Sequence, residues 1–169
     1  MTARPPLIVR AAVAADAAAI VALIRRLAAF ERSEMMPALT EGAVLRDCFG
    51  PQPKFSVLLA EGDGRLRGGV VLLDAYSSWA GKPAMIVHDL YVEDGARGRG
   101  IGRQLLAAAA RLAVERGCCR FDVTVLSWNR PARAFYEGLG FVALEEWQPY
   151  RLDAEGLRRL AGAPRGERA

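Results

Sequence analysis

Seven consecutive residues, Arg97-Gly98-Arg99-Gly100-Ile101-Gly102-Arg103, follow an apolar run from Val87 to Val92 and a turn at Glu93 to Ala96. They lead into a helical pattern carried by Leu105, Leu106, Leu112 and Ala113. The order is buried strand, turn, helix. The first turn of a helix presents free backbone N–H groups and the positive end of the macrodipole. Glycine lets the backbone bend there and lets a ligand come close. With three arginines added, the segment suits a pyrophosphate. A tight turn whose glycines serve packing accounts for the same residues. Two known phosphate loops do not fit. A Walker loop ends in Gly-Lys-Ser/Thr, and no lysine stands here. A Rossmann fingerprint reads Gly-x-Gly-x-x-Gly after a first strand, with an acid at the end of the next. Here the glycines are Gly98, Gly100 and Gly102, and Asp122 opens its predicted strand.

Other residues carry proton chemistry. His88 is the only histidine. An ordinary imidazole, pKa about 6.5, lies closer to the ideal for a general base at neutral pH than a glutamate at about 4.3. A strand histidine satisfied by its neighbours is the structural alternative. Asp89 alternates away from His88, so the two share a face only across a bulge. Tyr136 follows Phe135 on a predicted helix, a pattern that serves a core equally well. Cys48, Cys118 and Cys119 show no metal-ligand spacing, and an odd count with two adjacent argues against a disulfide framework.

Length and composition bound the frame. A chain of 169 residues, 52% apolar and 25% charged, fits one globular domain with a sizeable core. We expect it over residues 5–163, with a disordered tail at 164–169. Net charge is +4, with both signs interspersed. There is no basic arm and no aromatic-basic interleaving, so no nucleic-acid partner is expected. The apolar runs fall short of a membrane span and the N-terminus lacks a secretory apolar region. A reducing cytoplasm is the expected compartment.

The elements that must position these residues follow from periodicity. Leu7 to Arg10 reads as a strand. Asp16 to Phe30 reads as a helix, with Ile20, Leu23, Ile24 and Leu27 on one face. A second helix starts at Thr40 and stops before Gly50. Strands Phe55 to Ala60 and Gly68 to Ala75 flank a turn at Gly62-Asp63-Gly64. Met85 to Val92 is a third long strand, followed by the glycine-rich helix to Gly117. Then come a strand at Phe121 to Leu126, a short helix at Pro131 to Leu139 with proline in its first turn, and strands at Phe141 to Leu144 and Tyr150 to Leu152. A weak helix at Ala154 to Ala161 closes the pattern. This is α/β, antiparallel in its first half and with one parallel crossover.

Arg97-x-x-Gly100-x-Gly102 after a long strand resembles the acyl-CoA signature of the GNAT superfamily of N-acetyltransferases. Asn129-x-Pro131, then Ala134-Phe135-Tyr136-Glu137-x-x-Gly140-Phe141, resembles that superfamily's next block. Phe30-Glu31, Phe49-Gly50, Tyr76 to Lys82, His88-Asp89, Ser127-Trp128-Asn129 and Glu145-Glu146-Trp147 are similar to the diamine acetyltransferases, the spermidine/spermine and thialysine enzymes. The resemblance implies a mixed central sheet of six to seven strands flanked by helices, acetyl-CoA as donor, no metal, a small-molecule primary amine as acceptor and a homodimer. It implies that Gly98, Arg99, Gly100, Ile101, Gly102 and Arg103, with Arg97, hold the pyrophosphate. Leu90, Tyr91 and Val92 pair with the pantetheine, and Asn129, Arg130, Pro131 and Ala132 also touch CoA. Tyr136 matches the general acid. Glu31, Trp79, Asp89, Glu145 and Trp147 match amine-contacting positions, which His88 joins. The chain departs from the polyamine pattern twice. His88 stands at the catalytic glutamate position, and Ser77 aligns with an aspartate. Three readings stay open: a small-amine acetyltransferase, an acetyltransferase of protein lysine or N-terminal amines, and a CoA-binding or nucleotide-binding module without turnover.

Overall fold

The structure is a computed structural model and describes residues 6–162. The tail expected at 164–169, and residues 5 and 163 at the edges of the expected domain, lie outside the described residues. By internal contacts the chain divides into two compact units, one ending at Ser127 and one beginning at Trp128.

The first unit is a five-stranded mixed sheet in the order β1-β2-β3-β4-β5. Its strands are β1 (Ile8–Ala11), β2 (Ser56–Gly62), β3 (Arg65–Ser77), β4 (Lys82–Val92) and β5 (Phe121–Val123). β1 to β4 pair antiparallel, and β4 pairs β5 in parallel. The β2–β3 hairpin closes at Asp63-Gly64, where both φ angles are positive, 55° and 67°. That backbone matches the right-handed twist of the strands it joins.

β2 and β3 are apolar on both faces because helices cover both. Val57, Leu59 and Val71 pack with Ile20, Leu23 and Val44 of α1 (Ala17–Phe30) and α2 (Glu41–Phe49). The alternate residues Leu58, Ala60, Val70 and Leu72 are buried too and face the other way. α3 (Ile101–Glu115) contacts β2, β3 and β4, burying Leu105, Leu106 and Ala109. Asp16 fixes the start of α1. It accepts from the backbone of Val13 at 2.7 Å and from Arg10 at 2.7 and 2.9 Å. The Arg10 guanidinium holds the Asp16 carboxyl below the usual carboxylate range.

The second unit contains α4 (Arg130–Glu137) and α5 (Ala154–Leu160). Both are capped from their own sequence. Asn129 accepts from the Ala132 N–H at 3.2 Å, and Asp153 from the Gly156 N–H at 2.7 Å.

Three sequence expectations need correction. The sheet has five strands, not six to seven. β5 stops at Val123 instead of Leu126. Residues 141–144 and 150–152 are not strands. They are short apolar-rich segments, but a strand is made by its ladder, and among the described residues none pairs with them. Val142, Leu144, Trp147 and Tyr150 stay exposed as a result.

Candidate active site

β4 carries the site because it loses one neighbour halfway along. Its ladder to β5 holds three pairs, Met85 to Phe121, Ile86 to Asp122 and Val87 to Val123. Beyond Val87 only β3 pairs with it, through Leu90 to Val70, Tyr91 to Gly69 and Val92 to Gly68. Among the described residues, the β5-facing edge of Leu90, Tyr91 and Val92 therefore has no strand partner. Backbone groups along such an edge accept an added extended segment.

His88 sits at that point of divergence. In the β3–β4 ladder Val71 pairs with Asp89 and Leu72 with Val87, so His88 is the extra residue of a β-bulge. The bulge cancels the strand alternation between His88 and Asp89. Their side chains meet, with Nδ1 to Oδ2 at 2.9 Å. The imidazole side chain is 58% exposed and the Asp89 carboxylate 23%. Glu31 adds a second carboxyl from the turn after α1. Partial burial pushes it above the usual carboxylate range, and the Asp89 charge pushes it further. The cluster is one imidazole and two carboxyls at the broken edge of the sheet, an arrangement that attracts a cation and can take a proton.

The other end of β4 leads into the glycine loop. After a short 3₁₀ turn at Asp94–Ala96 the chain passes Gly98 and Gly100 with φ of 73° and 76°, and α3 begins at Ile101. A Cβ at either glycine would meet no atom within 4 Å, so the left-handed backbone, not crowding at that atom, calls for glycine. Ile101 is buried and anchors the helix start. The first helical bond is Gln104 N–H to Gly100 carbonyl, 3.0 Å. No side chain caps this helix, and its first turn contains no acid. That contrasts with α2, α4 and α5, which Thr40, Asn129 and Asp153 cap. The N–H groups of Ile101, Gly102 and Arg103 precede the first helical bond, open to an anionic ligand. The side chains of Arg99 and Arg103 are exposed beside them.

Arg97 faces elsewhere. Its Nε donates to the Val92 carbonyl at 3.1 Å, and its Nη2 lies 2.9 Å from Asp94. The guanidinium carbon sits 4.3 Å from the Phe30 ring centre and 5.9 Å from that of Tyr91. It ties the end of α1 to the end of β4 and is not pointed at the loop's outer surface. Sequence reasoning grouped it with Arg99 and Arg103 because it reads charge, not the aromatic rings that the guanidinium packs on.

Trp79 is not brought to this cluster. It occupies the tip of the β3–β4 connection and is 97% exposed. His88 lies six residues along β4 from Lys82, about 20 Å at the rise of a strand. Ser77 is also structural. Its hydroxyl accepts from the Ala80 N–H at 3.3 Å and from Arg120 at 3.2 Å, which closes the same turn.

In the second unit, Tyr136 is buried on α4 with its ring edge-on to Phe135 and Phe141, 5.3 Å from each ring centre. Desolvation pushes its phenol up to about 12, so it stays protonated at neutral pH. Among the described residues its hydroxyl takes no hydrogen bond, and no fully buried side-chain oxygen lacks a partner. The hydroxyl therefore reaches solvent while the ring does not. Asn129 and Ala132 bond to each other as the α4 cap. Arg130 and Pro131 are exposed in the same turn, and Glu145 and Trp147 are exposed in the segment between α4 and α5.

Comparison with known proteins adds an independent line. Thialysine N-epsilon-acetyltransferase of Mus musculus is 34% identical over 165 residues, covering 91% of this chain and 96% of its own. Spermidine/spermine N(1)-acetyltransferase-like protein 1 of Homo sapiens is 32% identical over 163 residues, 90% of this chain but 23% of its own length. Among solved structures, an integron cassette protein from the mobile metagenome of V. cholerae superposes with a TM-score of 0.78 at 24% identity, covering 93% of this chain and 98% of that one. It shares the fold. The sequence model of the acetyltransferase (GNAT) family matches residues 21–141, a span that contains the open edge of β4, the glycine loop and the buried tyrosine. With most of its length matched in this way, the chain belongs to the GNAT acetyltransferase family.

Proposed function

We propose that this protein transfers acetyl from acetyl-CoA to a primary amine of a small cationic molecule by direct attack. The observation that carries the reading is the position of His88. It sits on the strand whose open edge runs straight into an uncapped, acid-free helix start. The backbone N–H groups of Ile101 to Arg103, with Arg99 and Arg103, hold the pyrophosphate. Leu90, Tyr91 and Val92 pair with the pantetheine arm and donate to the thioester carbonyl, and the Asn129–Ala132 turn contributes a further contact. Arg97 supports this arrangement by fixing Tyr91 and Val92.

The donor supplies a thioester whose carbonyl carbon is the electrophile. The acceptor arrives as an ammonium ion. At pH 7 a primary amine of pKa about 10.4 is neutral in roughly one molecule in 2,500. Glu31 and Asp89 attract the cation, and His88 takes its proton, directly or through one water. The nitrogen lone pair forms the new C–N bond, the C–S bond breaks, Tyr136 donates a hydrogen bond to the sulfur as charge develops there, and the acylated nitrogen loses its second proton to the departing thiolate. A phenol at about 12 gives up its proton unfavourably to a thiolate of pKa near 8.5. Its part is therefore a hydrogen bond that strengthens as the thiolate forms. Trp147 is a candidate for the outer wall through its ring face, with Glu145 as a further carboxylate there, whereas Trp79 at the β3–β4 tip is too far along the strand from His88 to take part.

The relatives named for thialysine and spermidine/spermine support a diamine or thialysine-like acceptor. The family match crosses the boundary between the two units, which supports one catalytic domain over residues 5–163. A homodimer is part of the same proposal, supported by the exposed apolar residues Val142, Leu144, Trp147 and Tyr150. A cytoplasmic site of action is supported by the free cysteines Cys48, Cys118 and Cys119. Thiol release from acetyl-CoA across a panel of diamines, amino acids and peptides tests the reading. Release with the small amines supports it. Release only with peptides moves the activity to protein acceptors, and none with any amine refutes it. Light scattering on the same preparation reads the oligomeric state.

A further inference from the structure

The bulge in β4 does more than place a histidine at the open edge. A regular strand would send His88 and Asp89 to opposite faces of the sheet. One extra residue on β4 turns them into a contact pair, with Nδ1 2.9 Å from Oδ2. A carboxylate accepts hydrogen bonds and cannot donate them. The contact therefore selects the imidazole form that carries its proton on Nδ1 and leaves the lone pair on Nε2. The more solvent-covered of the two groups is the imidazole; the carboxylate is the more buried, as an orienting group is.

We propose that Asp89 is a positioning residue: it fixes the tautomer and orientation of His88, making Nε2 the atom that takes the proton of the acceptor amine. This rests on the acetyl-transfer reading above. In the step, an amine N–H bond breaks and the proton passes to Nε2. His88 becomes an imidazolium whose Nδ1–H stays bonded to Asp89. The freed nitrogen pair attacks the thioester carbon, the C–S bond breaks, and the second N–H proton, acidic once the nitrogen is acylated, passes to the departing thiolate to leave the amide and free CoA thiol. Asp89 does not itself become protonated. The imidazolium then returns its proton to solvent. Glu31, whose carboxyl senses the Asp89 charge, adds a second carboxyl to the cluster. The strand neighbours Val71, Leu72 and Val123 carry no charge. Sequence position alone allows this arrangement only across a bulge, because adjacent strand residues ordinarily point to opposite faces.

The single histidine of the chain makes the test direct. ¹⁵N-histidine labelling gives one pair of imidazole signals, and their shifts report which nitrogen bears the proton without any substrate present. In the wild-type protein above the imidazole titration, Nδ1 carries the proton. In Asp89→Asn that preference is lost. In the same variant kcat falls about 100-fold with the KM for acetyl-CoA unchanged, and the acid limb of kcat/KM moves to lower pH, because a neutral amide no longer favours the imidazolium. Asp89→Glu recovers part of the rate. A wild-type tautomer with the proton on Nε2 overturns the proposal, and it needs no variant to fold. Unchanged turnover in a folded Asp89→Asn also overturns it and leaves acetyl transfer standing. A wild-type protein that acetylates no amine removes both.

Discussion

The glycine loop permits a test in which ligand affinity and stability move in opposite directions. Gly100 has φ of 76°, and a Cβ there meets nothing within 4 Å. Gly100→Gln and Gly100→Glu therefore share the same backbone strain, about 1–2 kcal/mol for an L residue in the left-handed region. They are nearly equal in size and differ in one negative charge. In the free protein that charge sits at the N-terminus of α3, where no acid stands at present. It stabilises the helix dipole by about 0.3–1 kcal/mol. At about 2–4 °C per kcal/mol for a chain of this size, the Glu variant melts about 1–4 °C above the Gln variant. With acetyl-CoA the sign reverses. A carboxylate about 6 Å from a phosphate charge costs about 0.7 kcal/mol at the dielectric of water and about 3 kcal/mol at an effective 20. The Glu variant should bind about 3- to 100-fold more weakly than the Gln variant, and the gap should narrow in high salt. Calorimetric titration at two ionic strengths and thermal melts read both quantities. Equal affinity of the two variants for acetyl-CoA would refute an anion site at this helix start.

Other perturbations address the remaining groups. Tyr136→Phe should lower kcat about 10- to 100-fold, the value of a hydrogen bond to a developing charge, and leave acetyl-CoA affinity nearly unchanged; unaltered turnover removes the sulfur-donor role. Because burial raises that phenol to about 12, above its unfolded value near 10, its contribution to stability is complete below pH 10 and is lost as pH rises toward 12. The Tyr136→Phe variant should therefore resist alkaline unfolding better than the wild type, as melts between pH 9 and 12 will show. Glu31→Gln should raise the KM for the amine. It should also raise Tm at pH 7, since a carboxyl whose folded pKa is raised destabilises the native state once it is ionised; a lower Tm contradicts the assignment. Arg97→Ala should cost about 1–2 kcal/mol by removing the stack on Phe30 and the bond to Val92, read by urea denaturation.

The elements that periodicity can define were legible. α1 and α2 match their expected spans nearly to the residue, and the Asp63-Gly64 hairpin lies inside the expected turn. The parallel crossover lies where the glycine-rich helix put it. The errors share one cause: a ladder is a property of two segments, and a single segment's pattern cannot report its partner. Residues 141–144 and 150–152 have the apolar content of short strands and no described neighbour to pair with. The segment from Phe121 keeps an apolar-polar alternation to Val125, but the β4–β5 ladder ends at Val87 and Val123. The same limit hid the bulge. His88 and Asp89 were readable as reactive residues and not as a pair, because the register shift that joins them is set by β3 across the sheet.

The composition of the cluster narrows the acceptor further on the proposed reading. Glu31 and Asp89 are the carboxyls brought together at the open edge of β4, beside the His88 imidazole. Where the polyamine enzymes are resembled, two positions that carry acids there hold His88 and Ser77 here. Ser77 is closed into the β3–β4 turn by Ala80 and Arg120, so it offers no charge to a distant ammonium group. A site of this kind rewards one ammonium ion at the reacting end and gives little to a second one far along a chain. Doubling the positive charge of the acceptor, from a monoamine to a long diamine of equal length, should therefore change KM by less than about tenfold, the effect of 1.4 kcal/mol. A preference of a hundredfold or more for the dication would mean that further acids face the substrate, with Glu145 the first to replace by glutamine.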